Sequence, residues 1–287
     1  MACTILENAS LAPYCSMKVG GNAKYIALPK TINELTEIIS DRRSRNEKYI
    51  VVGNCSNLIF PDAGFDGTVI VTSNVRGVGL DGNKITAYCG ETLSSLARFA
   101  CDSSFTGLEF CYGIPGTVGG AVFMNAGAYG GDISQRLVSC ELLDENGNAF
   151  TADNAFMEFG YRRSVLEKKN YILLSATFEC VIGDKTEIRT KMDELMNKRK
   201  TSQPLEYPSC GSAFKRPEGH YAGALIEQCG LKGYSIGGAR VSEKHAGFII
   251  NGGGATATDV TDLLKYVSDF VFEKTEVRLE PEIRVIE

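Results

Sequence analysis

Residues 113–131 read GIPGTVGGAVFMNAGAYGG, and glycine occupies seven of these nineteen positions. Glycine is costly inside a packed helix or strand, because it loses more conformational entropy on folding than any other residue. We therefore expect this stretch to form a loop. Successive N–H groups of such a loop can approach one anion without interference from Cβ atoms, which makes it a candidate pyrophosphate cradle. A plain turn-rich connection is the alternative, since neither the Walker nor the G-x-G-x-x-G spacing is present.

A second run of small polar residues, Gly53-Asn54-Cys55-Ser56-Asn57, directly follows the apolar run Tyr49–Val52. The apolar run predicts a buried strand, and small hydrogen-bonding groups at the end of a strand suit a phosphate or a ribityl chain. Asn and Ser turns are common, so this run alone is weak evidence. The two loops together indicate an extended dinucleotide better than either does alone.

The periodicity of apolar residues elsewhere predicts a mixed chain. Thr31-Ile32-Asn33-Glu34 forms a capping box ahead of a helix that ends near Arg43. Further helices are expected at 93–100, 186–200 and 260–271, the second of them as a candidate connector between domains. Strands are expected at 49–52, 68–72, 84–88, 137–143, 149–151, 171–178 and 248–250, and around Val277 and Ile283. Because strands and helices do not alternate regularly, an α+β fold is favoured over a doubly wound sheet.

Length and charge restrict the class of protein. The chain has 287 residues, enough for about two domains, and a net charge of −5. An acidic chain without a long basic run is a poor binder of nucleic acid, whose recognition needs clustered cations. No apolar run approaches the roughly 20 residues that cross a bilayer. We therefore expect neither a nucleic acid nor a membrane as partner.

The cysteines and histidines give no metal or disulfide pattern. The closest two of the ten cysteines, Cys101 and Cys111, lie ten residues apart, so no C-x-x-C occurs, and the chain has two histidines. Zinc-site and thioredoxin-type spacings are thereby excluded. The N-terminus shows no signal peptide, so we expect a cytoplasmic protein with reduced thiols and no metal.

Three residues are candidates for chemistry, and each has an ordinary alternative. Arg162 can clamp a carboxylate or be a plain exposed arginine. Ser212 can donate a proton or be a turn residue, since no histidine stands in a nucleophile motif. Glu282, flanked by apolar residues, can be buried with a raised pKa or solvated on an edge strand. Between Lys185 and Lys244, eleven Lys and Arg face seven Asp and Glu, which favours an anionic substrate or a solvated basic surface.

These motifs, in their order along the chain, resemble those of the UDP-N-acetylenolpyruvoylglucosamine reductases, bacterial peptidoglycan-precursor enzymes also called UDP-N-acetylmuramate dehydrogenases. The resemblance runs from about residue 17 to the end of the chain. The compact length resembles the shorter subtype, which lacks an inserted tyrosine-bearing loop. The matching segments are Val19–Ala23, Gly53–Leu58, Gly113–Gly131, Tyr161-Arg162, Gly211–Lys215, Ala222–Gly233, Val241–Asn251 and Leu279–Glu282.

The resemblance implies a fold and a domain plan. The fold is α+β, with an FAD-binding region of the vanillyl-alcohol-oxidase type made of two α+β subdomains, followed by an α+β substrate-binding domain. On this chain the subdomains correspond to residues 14–72 and 73–183, and the substrate-binding domain to residues 184–287. A substrate with a diphosphate and a carboxylate agrees with the basic excess in the last of these.

The resemblance also implies an activity. NADPH reduces non-covalently bound FAD, the reduced flavin passes a hydride from N5 to C3 of the enolpyruvyl group of UDP-N-acetylglucosamine enolpyruvate, and Ser212 protonates C2. Arg162 and Glu282 stabilise the charge that develops on the substrate. The implied substrate-binding residues are Tyr161, Lys215, Arg216 and Lys232. The implied FAD-binding residues are Gly53, Asn54, Cys55, Ser56, Asn57, Gly113, Pro115, Gly116, Thr117, Gly119, Gly120, Asn125, Ala126, Gly127, Ala128 and Gly130. We expect the protein to act as a monomer.

Two residues depart from the family pattern. Cys55 stands where the family has glycine, so a positive φ at this position would cost energy and reduce affinity for the cofactor. Arg216 replaces an asparagine of the Phe-Lys-Asn-Pro run, which alters one substrate contact and adds charge.

Two other functions stay open. One is an FAD-dependent hydroxy-acid or alcohol oxidase of the same superfamily. Such enzymes often tether FAD through His or Cys, and no histidine precedes His220 here. The other is a non-catalytic nucleotide-binding protein that uses the same loops. No motif distinguishes NADPH from NADH.

Overall fold

The computed structural model describes residues 3–286 and divides into two units. The first unit contains residues 3–6, Tyr25–Asn54 and Gly67–Lys198, and the second contains Glu7–Lys24, Cys55–Asp66 and residues 199–286. The helices are α1 (Ile32–Ser44), α2 (Leu93–Asp102), α3 (Val118–Met124), α4 (Lys185–Ser202), α5 (Ala222–Gln228) and α6 (Ala257–Thr275). The strands are β1 (Thr4–Ser10), β2 (Asn22–Leu28), β3 (Tyr49–Val52), β4 (Leu58–Ile59), β5 (Phe65–Val71), β6 (Val78–Asp81), β7 (Lys84–Tyr88), β8 (Phe105–Thr106), β9 (Gly127–Ala128), β10 (Gly131–Asp132), β11 (Leu137–Leu143), β12 (Ala149–Asp153), β13 (Ile172–Glu179), β14 (Val181–Ile182), β15 (Ser209–Ser212), β16 (Ser235–Ile236), β17 (Ala239–Val241), β18 (Phe248–Asn251) and β19 (Arg284–Val285).

The first unit is built around an antiparallel sheet of strand order β12-β11-β13-β7-β6, against which α3 packs. β3 and β5 pair in parallel from Tyr49↔Thr68 to Val52↔Val71. The buried side chains of this unit form one apolar cluster, whose members include Leu35, Ile39, Ile70, Ile85, Leu96, Val118 and Phe178. Burial of each such side chain contributes about 1.5–3 kcal/mol.

The second unit holds an antiparallel sheet of order β15-β18-β17-β16, which contacts α6. β4 and β19 pair in parallel through Leu58↔Arg284 and Ile59↔Val285. A separate apolar cluster fills this unit, and its members include Met17, Ile59, Ile226, Ile249, Val260, Leu263 and Val267. The chain passes from one unit to the other within β1, β2 and β5, after Asn54, and within α4.

The helix ends follow from local side-chain chemistry. Thr31 accepts a hydrogen bond from Glu34 N at 3.1 Å and begins α1, as predicted. At α6, Thr256 and Asp259 form a full capping box. The carboxylate of Asp62 also accepts hydrogen bonds from Ala257 N and Thr258 N, at 2.8 and 2.9 Å. Three side chains therefore satisfy the free N–H groups of this helix end.

Most of the predicted elements are confirmed with small shifts at their ends. The predicted helices correspond to α1, α2, α4 and α6, and the predicted strands to β3, β5, β7, β11, β12, β13 and β18. The buried face of α4 carries Ile188, Met192 and Leu195, which recur at helical spacing.

The prediction that residues 113–131 form only a loop is wrong, because α3 lies inside this segment. Gly119 N donates to Cys89 O at 2.8 Å, and a Cβ on Gly119 would lie 3.1 Å from that oxygen. Glycine therefore lets this helix approach the neighbouring backbone, and the packing offsets its entropic cost. The segment then continues into the β9–β10 hairpin, whose two connecting residues, Tyr129 and Gly130, both have positive φ.

Two further predictions are corrected, at Val277 and at Ser212, and the strand predicted around Ile283 forms with a small shift. No strand forms at Val277, because the preceding Glu276 takes the left-handed conformation that ends α6. Near Ile283 the strand is β19, which begins one residue later. Ser212 is the last residue of β15 rather than part of a free turn.

Candidate active site

The two glycine-rich segments singled out in the sequence touch each other in the first unit. β3 ends at Val52, and Gly53 follows directly. A Cβ on Gly53 would lie 2.2 Å from Thr117 Oγ1, far inside van der Waals contact, so any other residue at position 53 forces Thr117 or the backbone to shift. The expectation that the two segments serve one site therefore agrees with their contact.

Hydrogen bonds fix the backbone around Thr117. Its side chain is buried and accepts from Gly120 N at 3.4 Å, at the start of α3. Val118 N donates to Glu91 O at 2.8 Å, and Thr117 forms a backbone bridge with Thr92. The segment after Gly116 is therefore a rigid part of the first unit.

The end of α3 positions the next part of the site. Asn125 adopts a left-handed conformation with φ of 45° and is buried. Its Nδ2 donates to Gly160 O at 3.1 Å, and its Oδ1 accepts from Ser134 N at 2.9 Å. The Asn125 side chain thus holds the backbone immediately before Tyr161 and Arg162.

Arg162 lies in a strained turn beside the glycine segment. Gly160 and Arg163 exchange backbone hydrogen bonds, and Arg162 between them has φ of 56°. Such a conformation is uncommon for a residue with a Cβ and is often retained at functional sites. Arg162 Nη2 donates to Gly127 O at 3.2 Å, and its Cζ lies 5.0 Å from the ring centre of Tyr161. The guanidinium is therefore tied to residues 113–131, while the Tyr161 side chain is exposed.

In the second unit, the structure brings Ser212 and Glu282 onto neighbouring segments. Ala213, next to Ser212, accepts at its carbonyl from Glu282 N at 2.8 Å. Phe214 forms a backbone bridge with Pro281. Ser212 is exposed at the end of β15, and Glu282 is half-buried.

The Cys55–Asn57 turn adjoins Glu282 in the same unit. Asn57 Nδ2 donates to Glu282 O at 2.9 Å, and Arg284 N donates to Asn57 O at 3.0 Å. The parallel pairing of β4 with β19 continues this contact. A residue assigned to the cofactor therefore also positions the backbone of a residue assigned to catalysis, a link that no sequence motif indicated.

The candidate substrate-binding cations of the second unit already have partners. Lys215 Nζ pairs with the carboxylate of Glu280, and Lys232 Nζ lies 2.6 Å from Glu227 Oε1. The Arg216 guanidinium stacks on Tyr221, 4.0 Å from the ring centre. All three cations are held in place, and the two lysines are partly neutralised.

Cys55 has the positive φ that the sequence analysis described as costly for a cysteine. Its φ is 45°, in the region that favours glycine, and its side chain is buried. The left-handed conformation costs about 1–2 kcal/mol for a residue with a Cβ. The structure therefore keeps a cysteine in a backbone conformation suited to the glycine of the family pattern.

The candidate site residues divide between the two units. Arg162, Tyr161, Gly53 and Asn54 lie in the first unit, whereas the remaining turn residues and the other catalytic and basic candidates lie in the second. Within residues 3–286, no cluster of three or more His, Cys, Asp or Glu side chains is arranged to hold a metal ion. Over the same residues, no helix is both long and apolar enough to cross a membrane.

Comparison with known proteins first defines the class. Residues 23–153 match the family model of an FAD binding domain, and residues 203–286 match the C-terminal domain of UDP-N-acetylenolpyruvoylglucosamine reductase. The chain thus combines a flavin-binding domain with the second domain of one oxidoreductase family. The predicted α+β fold, with an FAD-binding region followed by a second α+β domain, is confirmed.

Full-length relatives give the particular family. The chain is 48% identical over 282 residues to UDP-N-acetylenolpyruvoylglucosamine reductase from Latilactobacillus sakei subsp. sakei, covering 98% of this chain and 93% of that protein. It is 49% identical over 279 residues to the enzyme of that name from Lactococcus lactis subsp. cremoris, covering 97% and 93%. The crystal structure of the enzyme (MurB) from Thermus caldophilus aligns over 100% of both chains, with a TM-score of 0.85 and 34% identity. This chain belongs to the UDP-N-acetylenolpyruvoylglucosamine reductase family, as its motifs predicted.

Proposed function

We propose that this protein is an FAD-dependent oxidoreductase that reduces UDP-N-acetylglucosamine enolpyruvate to UDP-N-acetylmuramate, with NADPH as the hydride donor. The observation that carries the proposal is near-half identity to enzymes of this name over almost their whole length. Within the second unit, the contact between the Ser212 and Glu282 segments supports it. The resulting product is a precursor of peptidoglycan.

The residues assigned to FAD fit a flavin dinucleotide. Gly53 and Thr117 lie so close that a Cβ on Gly53 would clash with the Thr117 side chain, and Gly130 has open space where its Cβ would be. These positions offer backbone groups and small side chains, which suit a diphosphate and a ribityl chain. FAD, when bound, supplies the means to accept a hydride from the nicotinamide and deliver it to the substrate. The proposed contacts lie in Gly53–Asn57, at Gly113, and in residues 115–130.

Arg162 is proposed to bind the substrate carboxylate. Its guanidinium is permanently charged and presents paired N–H donors that match a carboxylate. Its hydrogen bond to Gly127 O and its contact with Tyr161 limit its motion, so little entropy is lost when the substrate binds. Negative charge that develops toward the carboxylate is stabilised by this fixed cation, and Glu282 orients or donates to the same group.

Ser212 is proposed to deliver a proton to C2 of the enolpyruvyl group. Its hydroxyl is exposed at the end of β15, and Gly211 beside it has φ of 74°. A serine hydroxyl is a weak acid, so proton delivery depends on geometry and on nearby positive charge. The adjacent backbone pairing with residues 280–282 supplies rigidity.

The basic side chains of the second unit are proposed to hold the diphosphate, and Tyr161 is proposed as a further substrate contact. Lys215 and Lys232 pair with Glu280 and Glu227. A phosphate carries more charge than a carboxylate, so it competes well for an exposed ammonium group. Surface pairs of this kind contribute about 0–1 kcal/mol, and their loss therefore costs little.

Three further assignments accompany this function. The flavin region would comprise residues 14–72 and 73–183, and the substrate-binding domain residues 184–287. All ten cysteines are free thiols, which agrees with a cytoplasmic, reducing location. We propose that the protein acts as a monomer.

The proposal is tested by separating the two halves of the reaction. We expect Ser212→Ala to retain flavin and to be reduced by NADPH at the wild-type rate, because Ser212 takes no part in that step. Oxidation of the reduced enzyme by the enolpyruvyl nucleotide should slow by about 10²–10⁴-fold. Anaerobic stopped-flow absorbance of the flavin measures both rates. Ser209→Ala, in the same strand, is the control and should match the wild type.

Equal oxidation rates for Ser212→Ala and wild type would remove Ser212 from proton delivery. A purified protein that neither contains nor takes up FAD would contradict the function itself. Reduced enzyme that reacts faster with oxygen than with the enolpyruvyl nucleotide would indicate an oxidase instead.

A further inference from the structure

Three cysteines that are distant in sequence meet in the second unit. Cys15, Cys55 and Cys210 are 1%, 3% and 2% exposed. Ser16 N donates to Cys55 O at 3.3 Å, and Cys210 Sγ donates to the same oxygen at 3.8 Å. The flavin-turn cysteine therefore lies between the segment that carries Cys15 and the strand that carries Cys210.

The cluster is not arranged as a metal site. Among residues 3–286, no group of three or more Cys, His, Asp or Glu has the geometry to hold an ion. Cys210 Sγ also donates to Leu58 O at 3.7 Å, so its thiol hydrogen is directed at two backbone carbonyls. Burial raises the pKa of Cys210 to about 12, which keeps this thiol protonated.

Cys15 and Cys55 differ in their readiness to ionise. The Cys55 thiol hydrogen-bonds to the sulfur of Cys15 and lowers the pKa of Cys15; burial opposes this effect and Lys18 adds to it. The same bond and burial raise the pKa of Cys55 well above its ordinary value. Cys15 is therefore the better nucleophile of the pair, and Cys55 is a protonated thiol hydrogen-bonded to it.

The backbone contact is compatible with a disulfide. Bridged cysteines have Cα atoms about 4.4–6.8 Å apart. The hydrogen bond between Ser16 N and Cys55 O, at 3.3 Å, places the backbone that follows Cys15 directly against Cys55, and the Cys55 thiol hydrogen-bonds to Cys15.

We propose that Cys15 and Cys55 form a peroxide-oxidisable dithiol that links the flavin-binding turn to the segment after the 3-10 turn Ala12–Tyr14. The Cys15 thiolate attacks hydrogen peroxide, the O–O bond breaks, and Cys15 becomes a sulfenic acid while hydroxide leaves. Cys55 sulfur then attacks the Cys15 sulfur; the S–S bond forms, the S–OH bond breaks, and the proton of Cys55 leaves in water. Each sulfur loses one electron, and the two electrons reduce peroxide to two molecules of water.

The bond would fix Cys55 at the centre of the turn assigned to FAD. Cys55 has a left-handed backbone, so a glycine can replace it without strain, and Cys55→Gly removes the thiol from a turn that stays folded. The formation of the disulfide does not depend on the enzymatic activity. If the disulfide does not form, the proposed reaction is unaffected; if the proposed reaction is not observed, the disulfide proposal is equally unaffected.

The experiment treats the full-length, FAD-loaded protein with increasing hydrogen peroxide and then alkylates the remaining thiols under denaturing conditions. Before alkylation, we expect intact mass spectrometry to show a loss of about 2 Da that precedes any gain of oxygen and is reversed by a thiol reductant. After alkylation, the same protein should carry two alkyl groups fewer than the untreated protein. Peptide mapping without reductant should identify a Cys15–Cys55 link. The link should be absent from Cys15→Ser and Cys55→Gly, and it should persist in Cys210→Ser and in Cys229→Ser, a control at a half-buried cysteine outside the cluster.

Full alkylation of Cys15 and Cys55 at peroxide concentrations that oxidise Cys3 or Cys229 would overturn the proposal. A Cys15–Cys210 link in the wild type would also overturn it, because Cys210 would then be the partner. Loss of the link in Cys210→Ser, with that variant still folded by circular dichroism, would also overturn the proposal, because the proposed bond between Cys15 and Cys55 does not require Cys210.

Discussion

Gly53→Ala tests the contact that brings the two cofactor segments together. Gly53 does not have a positive φ, so alanine meets no backbone strain there. Its Cβ would instead lie 2.2 Å from Thr117 Oγ1, whereas unstrained non-bonded contacts of carbon lie at about 3.5–4.0 Å. One of the two residues has to move.

The size of the effect follows from the two ways of relieving this clash. Shifting the backbone in a packed region costs about 1–3 kcal/mol. Rotating Thr117 breaks its hydrogen bond with Gly120 N, and the loss of such a cap costs about 0.5–2 kcal/mol. We therefore expect Gly53→Ala to lower the free energy of unfolding by about 1–2 kcal/mol. We also expect it to weaken FAD binding, because the displaced residues are those assigned to the cofactor.

A double-mutant cycle separates this clash from a general effect of alanine. Thr117→Ala removes Oγ1 and Cγ2, so Gly53→Ala should cost less in that background by about 1 kcal/mol or more. Thr117→Ser keeps Oγ1 and should leave the penalty unchanged. Urea denaturation and titration with FAD provide the two measurements. Equal costs of Gly53→Ala in the wild type, in Thr117→Ser and in Thr117→Ala would refute the reasoning.

Substitutions at two other positions of the second unit test a helix cap and a left-handed backbone conformation. Asp62→Ala should lower the free energy of unfolding by about 0.5–1 kcal/mol at pH 7, because Asp62 accepts from two N–H groups at the start of α6. Burial opposes the ionisation of Asp62, but hydrogen bonds from Thr258 and Ala257 outweigh it and lower the pKa of Asp62. The stabilisation by Asp62 is therefore complete above about pH 4 and is lost as the pH falls further. A stability difference between variant and wild type that grows in acid, measured by urea denaturation, would contradict this. At Cys55, with φ of 45°, glycine should give a more stable protein than alanine by about 1 kcal/mol, the reverse of the usual order. Thermal unfolding of Cys55→Gly and Cys55→Ala measures this difference, and a more stable alanine variant would show that the conformation is not strained.

Elements with a strong local pattern were predictable from sequence. α1 has a capping threonine and a spaced apolar face, and β11 and β12 flank a turn that contains Asn146 and Gly147. In each case neighbouring residues supply the decisive interactions. β1 and β2 went unpredicted, because their mixed polar and apolar sequences lack a clear alternation; they pair with each other, and β2 also pairs with the more distant β5.

The sequence predicted which residues belong to the candidate site, but not which of them contact one another. Motifs indicated Arg162, Ser212 and Glu282, and the left-handed turn at Arg162 is a feature of the kind found at functional sites. Sequence spacing carried no information on the hydrogen bond from Asn57 to Glu282 O, since 225 positions separate the two residues. Contacts of that range depend on the whole fold, so they become visible only once the sheets are assembled.

The glycines of residues 113–131 show why composition misled the prediction of structure while still indicating the site. The entropic penalty of glycine applies to the free energy of folding as a whole, and contacts available to no other residue can offset it. Gly119 allows α3 to lie against Cys89 O, and Gly131 leaves no room for a Cβ beside Phe110. Close packing against other atoms of the protein thus explains a glycine as well as close approach to a ligand does. A glycine-rich segment therefore indicates tight approach in general, and only Gly53 against Thr117 shows that two such segments meet at one place.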